Sequence, residues 1–225
     1  MERFGLTPEA SAAVERLLDL VEADDAAPTT VRARAEALDV HVADSLSGLE
    51  LAPVRAARRI ADLGAGAGFP GLVLAAALPH AHVALVESAT RKCAWLEQAI
   101  EVMGLDNAAA VHARAESWPE GLGVHDLVTA RALAPLTVLV EYAAPLLAPG
   151  GALVAWKGAR EESEESDGRA AAASLGMEAA QVLAVTPFPA SRNRHLHLYL
   201  KVGSTPNGYP RRPGMASKRP IRASG

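Results

Sequence analysis

Three glycines at alternate positions, Gly64, Gly66 and Gly68, follow an apolar run, Ile60 to Leu63, that carries one acid, Asp62. This spacing suits chemistry done by main chain rather than by side chains. Glycine accepts backbone angles and close approaches that a Cβ forbids, so a ligand can lie directly on the turn. Pro70 stands where the first turn of a helix accepts it, and Gly71 to Leu78 reads as an apolar helix. The next apolar run, His82 to Val86, ends on Glu87, where a carboxylate can accept hydrogen bonds from two ribose hydroxyls. Strand, glycine turn, helix, strand and acid together predict a nucleotide-cradling unit.

Two cations and a polar trio are further candidates. Arg131 leaves a fourth strand, Asp126 to Thr129, and Lys157 leaves a fifth, Ala152 to Trp156. Both stand at C-terminal strand ends, the edge where open sheets bind ligands. An arginine there is costly unless paired, so Arg131 is either functional or the partner of Asp126 or Glu141. His41, Asp44 and Ser45 are spaced i, i+3 and i+4 in a short helix, Val40 to Leu49, and share one face. They form either a surface hydrogen-bonded cluster or part of a site. One His and one Asp are too few ligands for a metal.

The elements that must position these residues alternate along the chain. Pro8 to Asp25 carries Val14, Leu17, Leu18 and Val21 at helical spacing behind Thr7 as N-cap, and Thr29 or Thr30 can cap a second helix through Leu38. After Glu87, a helix over Thr90 to Met103 buries Cys93, Leu96, Ile100 and Met103 and stops at Gly104, and Ala108 to His112 is a third strand. Leu136 to Leu147 is the next helix, followed by a turn at Pro149-Gly150-Gly151. Glu161 to Asp167 reads as an acidic, solvated helix start with no assigned chemistry. Met177 to Val185 and Arg194 to Val202 complete seven strands, the last pair an antiparallel hairpin. The order predicts an α/β, doubly wound sheet.

Half of the 225 residues are hydrophobic, enough for one substantial core. The single cysteine, Cys93, allows no internal disulfide. Met1 to Ala10 has neither a basic leader nor an apolar core, and no run reaches the roughly 18 apolar residues of a membrane span. The chain therefore reads as cytoplasmic, with no membrane partner. Its net charge of −4 hides an asymmetry: residues 190–225 hold eight Lys or Arg and no acid, which leaves fourteen basic against twenty-six acidic residues in the first 189. An acidic body with a basic end is either a phosphate-gripping edge or a solvated tail. Pro206 to Pro220, Pro-rich and basic, is expected to be extended. The resulting organisation is a helical extension over residues 1–50, a catalytic domain over 51–203 and a basic tail over 204–225.

The G-x-G-x-G spacing differs from the G-x-G-x-x-G of dinucleotide-binding turns and resembles the first motif of class I methyltransferases, whose ligand is S-adenosylmethionine. In that Rossmann-like fold the loop after the third strand flanks the adenine, which makes Ala115 and Glu116 candidates. The likeness extends further. His41-x-x-Asp44-Ser45-Leu46, Asp62 to Gly71, Glu87-Ser88, Arg114-Ala-Glu116, Thr129-Ala-Arg-Ala132, Lys157-Gly158 and Tyr209 to Gly214 together resemble the bacterial small-subunit ribosomal RNA guanine-N7 methyltransferases, the RsmG or GidB family. The resemblance covers the chain from about residue 28. It implies methylation of one guanine of 16S ribosomal RNA, as naked RNA, in the small subunit or in an assembly intermediate, with S-adenosylmethionine as donor, and the chain is expected to act as a monomer. Its cofactor contacts fall by position on Gly64, Phe69, Glu87, Ala115, Glu116 and Arg131, with Asp62, Gly66, Gly68 and Ser88 in the same motifs. It also implies a role beside the site for His41 and Asp44. Two positions depart from the family: Val40 replaces the usual Arg, and Ala27-Pro28-Thr29 replaces Asn-Leu-Thr.

Guanine N7 has an exposed lone pair and no proton to lose, so its methylation needs positioning rather than a general base. Arg131 and Lys157 are expected to line the pocket and to contact guanine O6, phosphate or the cofactor carboxylate. The Asn-Pro-Pro-Tyr common in adenine-N6 enzymes is absent after the fourth strand, and Cys93 lies in a helix rather than at a site for cytosine-C5 chemistry. Two other functions fit the same residues: a small-molecule methyltransferase, and an RNA-binding assembly factor that has lost turnover.

Overall fold

The computed structural model describes residues 2–223; Met1, Ser224 and Gly225 lie outside them, the last two belonging to the expected tail. Seven strands form one sheet: β1 (Arg59–Leu63), β2 (His82–Glu87), β3 (Ala108–His112), β4 (His125–Arg131), β5 (Leu147–Lys157), β6 (Met177–Val185) and β7 (Arg194–Lys201). Their order is β3-β2-β1-β4-β5-β7-β6, parallel except that β7 runs antiparallel to both β5 and β6. The strand order reverses between β1 and β4, and there the C-terminal strand ends leave a crevice.

The central strands β1, β2, β4 and β5 are largely buried on both faces, which is why they read as nearly continuous hydrophobic runs, whereas the edge strands β3 and β6 are more exposed. Alternate residues go to opposite sides: Ile60, Leu127 and Val154 join one core cluster, Ala61, Val128 and Leu153 the other. The first core is covered by α1 (Pro8–Ala23), α5 (Gly71–Ala77) and α6 (Thr90–Met103), with shorter helices α2 (Arg34–Ala37), α3 (Asp44–Leu46) and α4 (Ala52–Ala56) closing its end. The second lies under α7 (Leu136–Ala143) and α8 (Glu162–Ser174). Thr7 Oγ1 accepts the Ala10 N–H at 3.2 Å, and Gly104 ends α6 at φ 68°, as the capping signals require.

Several local expectations are corrected. Neither Thr29 nor Thr30 caps α2, which starts behind Ala33 without a side-chain cap. Thr29 Oγ1 instead accepts the Val31 N–H at 3.1 Å, a local turn that competes with capping. The two helices expected around residue 40 are one unbroken helical run over residues 34–50 that widens into a π turn at Leu38–Ala43. Pro70 is the N-cap of α5 rather than its first residue. Helix α7 stops at Ala143, and the expected turn at 149–151 is an irregular stretch within β5.

The Pro-rich end is neither wholly extended nor free. It straps across α7, contains a short helix, α9 (Met215–Lys218), and is pinned at several points. Arg211 makes a two-pronged pair with Glu141, Nε donating to Oε1 at 2.6 Å, and the Gly214 N–H donates to Glu116 Oε1 at 2.9 Å. Thr137 Oγ1 donates to the Ile221 carbonyl at 2.7 Å, and Arg222 pairs with Asp167 at 2.6 Å. Glu141 is 2% exposed, and a carboxylate so buried requires a cation beside it. No helix among the described residues is long and apolar enough to cross a membrane.

Candidate active site

The glycine turn is built by its neighbours. Gly64 and Ala65 donate to the Val86 carbonyl at 2.8 and 3.2 Å, which ties the turn to the end of β2. Gly64, Gly66 and Gly68 have φ of 66°, 57° and 94°, the left-handed region that glycine enters without strain. Asp62 is fully buried. Its Oδ2 accepts the Gly71 N–H at 3.0 Å and its Oδ1 the Thr129 hydroxyl at 2.8 Å, so it clamps α5 and β4 to β1. Burial pushes its carboxyl up to about 6, partly opposed by those two hydrogen bonds. Glu87 accepts Ser88 N–H and Ala89 N–H on Oε1 and Gly66 N–H, at 3.2 Å, on Oε2.

Gly64 and the end of β2 border a cleft of about 330 Å³, within the size range of small-ligand sites. Gly64, Glu87, Ser88, Ala115, Glu116 and Tyr142 face it. Of the predicted contacts, Gly64, Glu87, Ser88, Ala115 and Glu116 are thus together, whereas Asp62 turns inward, Gly66 and Gly68 shape the turn without lining the cleft, and Phe69 lies elsewhere.

Phe69 belongs to a second cluster. The His41 ring stacks on it with centroids 4.5 Å apart and 16° between planes, and the Arg131 guanidinium lies over it at 5.5 Å. Arg131 closes β4 and pairs with neither Asp126 nor Glu141. It donates to Asp44 Oδ2 at 3.0 Å, to the Val40 carbonyl at 3.0 Å and to His41 Nδ1 at 3.2 Å. The π turn makes this possible. Asp44 N–H bonds Asp39 O across it instead of the Val40 carbonyl an α-helix would use, and Val40 O faces Arg131. That contact is made by main chain, so a valine at position 40 serves it as well as an arginine would.

His41 is fixed from its other side by Thr29 Oγ1, 2.8 Å from Nε2. Since Nδ1 accepts from Arg131, Nε2 carries the proton and donates to Thr29. Burial and the adjacent guanidinium lower the His41 pKa to about 4, so its ring is neutral at pH 7. Asp44 is 3% exposed and Ser45 is fully buried, which rules out a surface cluster. The Trp156 indole N–H donates to the Asp44 carbonyl at 2.9 Å and locks the helical run onto β5.

Arg131, Lys157, Arg194 and His195 border a second cavity of about 160 Å³ against Asp44 and Trp156. It meets the first cleft at Ala132, whose φ of 53° is unusual for a residue with a Cβ. Lys157 is held by Glu164 Oε1 at 2.6 Å, so the segment expected to be solvated and without chemistry reaches the site edge. Sequence reasoning missed Ala132, Trp156, Glu164 and Arg194. In the sequence Arg194 figures only as one charge of the basic end. Its Nε is buried beside Asp44 Oδ1, at 3.9 Å, with no hydrogen-bond partner.

The rRNA small subunit methyltransferase G family, GidB, matches residues 16–196. The chain belongs to this family. The ribosomal RNA small subunit methyltransferase G of Rubrobacter xylanophilus is 43% identical over 191 residues, 82% of this chain and 73% of that protein. That of Pelotomaculum thermopropionicum is 39% identical over 197 residues, 86% and 82% of the two chains. A solved S-adenosylmethionine-dependent methyltransferase from Aquifex aeolicus superposes with a TM-score of 0.58 at 15% identity, over 75% of this chain and 93% of that one. The sheet is therefore that of class I methyltransferases, and the GidB match spans β1 to β6 and stops before the strap.

Proposed function

We propose that the chain transfers a methyl group from S-adenosylmethionine to N7 of a guanine in 16S ribosomal RNA. One observation carries this reading: a nucleoside-sized cleft on a glycine turn adjoins, at Ala132, a smaller cavity lined by cations. Membership of the GidB family supports the ribosomal substrate. On this reading the protein acts in the cytoplasm as a monomer, on the small subunit or its assembly intermediate.

The residues present fit S-adenosylmethionine better than a dinucleotide. The first N–H of α5, at Gly71, is taken by Asp62, so that helix offers no seat for a pyrophosphate. Glu87 Oε2 accepts one hydrogen bond and keeps lone-pair capacity for a ribose hydroxyl. The main chain at Gly64 backs the ligand, Ser88 lies beside the ribose, and Ala115 and Glu116 flank the adenine. Asp62 is a positioning residue for the turn. When bound, S-adenosylmethionine would supply a sulfonium-activated methyl carbon open to attack by the guanine N7 lone pair, the S–CH3 bond breaking and the neutral thioether leaving.

No group has to take a proton from N7. His41, neutral and held on both ring nitrogens, fits an orienting role rather than that of a general base. It and Asp44 aim Arg131, and Arg131 and Lys157 contact guanine O6, phosphate or the cofactor carboxylate. Arg194, with a donor to spare, faces the same cavity.

The test is to incubate the protein with methyl-labelled S-adenosylmethionine and small subunits from a strain lacking this modification, then digest the RNA and identify the labelled nucleoside by mass spectrometry. Label on 7-methylguanosine at one 16S position is the expected result. Unlabelled RNA, with cofactor binding demonstrated separately, would overturn the RNA reading and favour a small-molecule acceptor.

A further inference from the structure

A third cavity adjoins the acceptor side and is larger than either of the others, about 500 Å³. It lies between the starts of α7 and α8, and its outer wall is the C-terminal strap through Ser217, Pro220 and Arg222. Lys157 borders both this cavity and the cation-lined one, so the two are neighbours across a single side chain. We infer that this cavity receives the base of a nucleotide flanking the target guanine. The inference rests on the RNA reading above and adds a second base site to it.

The chemistry of the walls selects a neutral base over a phosphate. Lys157 and Arg222 face Glu161, Glu164 and Asp167, one more acid than base, and both cations are already paired, with Glu164 and Asp167 respectively. A phosphate entering here would meet net negative charge. A nucleobase suits both kinds of wall. Its flat faces can lie on Pro135, Val138 and Pro220, and its ring N–H and amino groups can donate to carboxylate oxygens with lone pairs to spare. The phosphates have partners just outside. Lys218 and Arg219 sit on the strap between the wall residues Ser217 and Pro220, and among the described residues neither pairs with a carboxylate. Single-stranded RNA is commonly read in this way, with splayed bases in pockets and the backbone on a basic rim. The strap's anchoring to Glu116, Glu141 and Asp167 then acquires a purpose, since a loose tail could not form a pocket wall.

The pocket can be filled from opposite sides without touching its ion pairs. Ser217 on the strap and Ser163 at the start of α8 are exposed and face the cavity. Ser217→Trp and Ser163→Trp should each raise KM for hypomethylated small subunits about tenfold, the scale of one base displaced from its stack, while S-adenosylmethionine affinity and melting temperature stay at wild-type values. A synthetic RNA substrate with an abasic residue beside the target guanine should show the same rise with the wild-type protein and no further rise with either variant. Wild-type KM in both tryptophan variants would overturn the pocket. So would additive losses from the abasic residue and the tryptophans. Failure of the wild-type protein to methylate any RNA would instead overturn the underlying function, and the two failures are distinct.

Discussion

The two walls of the site are made in opposite ways. The glycine-turn wall is local: Asp62, Gly64, Gly66, Gly68 and Glu87 come from β1, the turn and β2, and their working atoms are largely main chain. The acceptor wall is assembled from afar. Asp44 precedes the sheet, Arg131 ends β4, Lys157 ends β5 and Arg194 opens β7, and one ion pair spans 87 residues of sequence. A local wall can form as soon as two strands pair, whereas the distant one exists only once the whole sheet is closed. The two should therefore fail separately when mutated.

The largest separation is expected from Asp44→Ala. Arg131 would lose its carboxylate while its side chain remains 16% exposed, and breaking such a pair costs about 3 kcal/mol. Turnover should fall at least about a hundredfold, because the guanidinium is no longer aimed; S-adenosylmethionine affinity changes less than about threefold if Arg131 serves the guanine rather than the cofactor carboxylate. Calorimetric titration with cofactor, run beside the methylation assay, checks both halves; parallel loss of binding would mean that the walls are one unit. Gly68→Ala should do the reverse. A Cβ there overlaps the Leu72 side chain at a φ of 94°, which costs about 2 kcal/mol of stability and distorts the turn. Cofactor affinity should drop about tenfold, and saturating cofactor should restore much of the turnover.

This contrast also explains what could be read from the chain. The seven strands, the glycine turn, the acid that ends β2 and the first helix with its cap were legible, because periodicity and turn chemistry act over a few residues. Arg131 and Lys157 were legible as cations at strand ends, but not their partners. Asp44 and Arg131 are far apart in sequence, and only the fold joins them. Glu164 and Asp167 looked like a solvated acidic run because composition cannot tell that Lys157 and Arg222 will reach them. Thr29 looked like a cap because its bond to His41 is not local. Ala132 stood in a recognisable motif, but nothing in the sequence marked its positive φ: alanine does not advertise one.

A finer probe of the acceptor wall is its pH dependence. His41 titrates near 4 in the folded protein against 6.5 when free, so the fold favours the neutral ring. The stability this supplies is complete above pH 6.5 and is lost as pH falls toward 4. Asp62 works the other way. Its carboxyl, raised to about 6 from 3.8, makes ionisation costly, and that contribution shrinks as pH rises from about 4 to 6. Comparing wild type with His41→Gln isolates the first effect, since Asp62 is common to both. The stability gap in urea titrations should be widest above pH 6.5 and should narrow on acidification to pH 5. A constant gap would mean that the ring titrates as in solution and that Arg131 does not hold it neutral.

The smallest effect, and the one that extends the comparison to a third region, concerns the strap. Removing residues 204–225 outright would strip Arg211 from Glu141, leaving a carboxylate 2% exposed without its cation, so weaker RNA binding by such a truncation would mix charge loss with misfolding. Arg212, Lys218 and Arg219 offer a cleaner probe, because among the described residues none of them is in an ion pair. Changing all three to Gln should leave melting temperature and cofactor affinity unaltered and weaken subunit binding only modestly at low salt. The slope of log affinity against log salt should fall by roughly one unit for each phosphate left without its cation, up to about three. Exposed, unpaired charges contribute through counterion release rather than through the fold, so their removal should register in that slope alone. An unchanged slope would assign the free cations of the strap to solvent and leave RNA affinity to the acceptor wall.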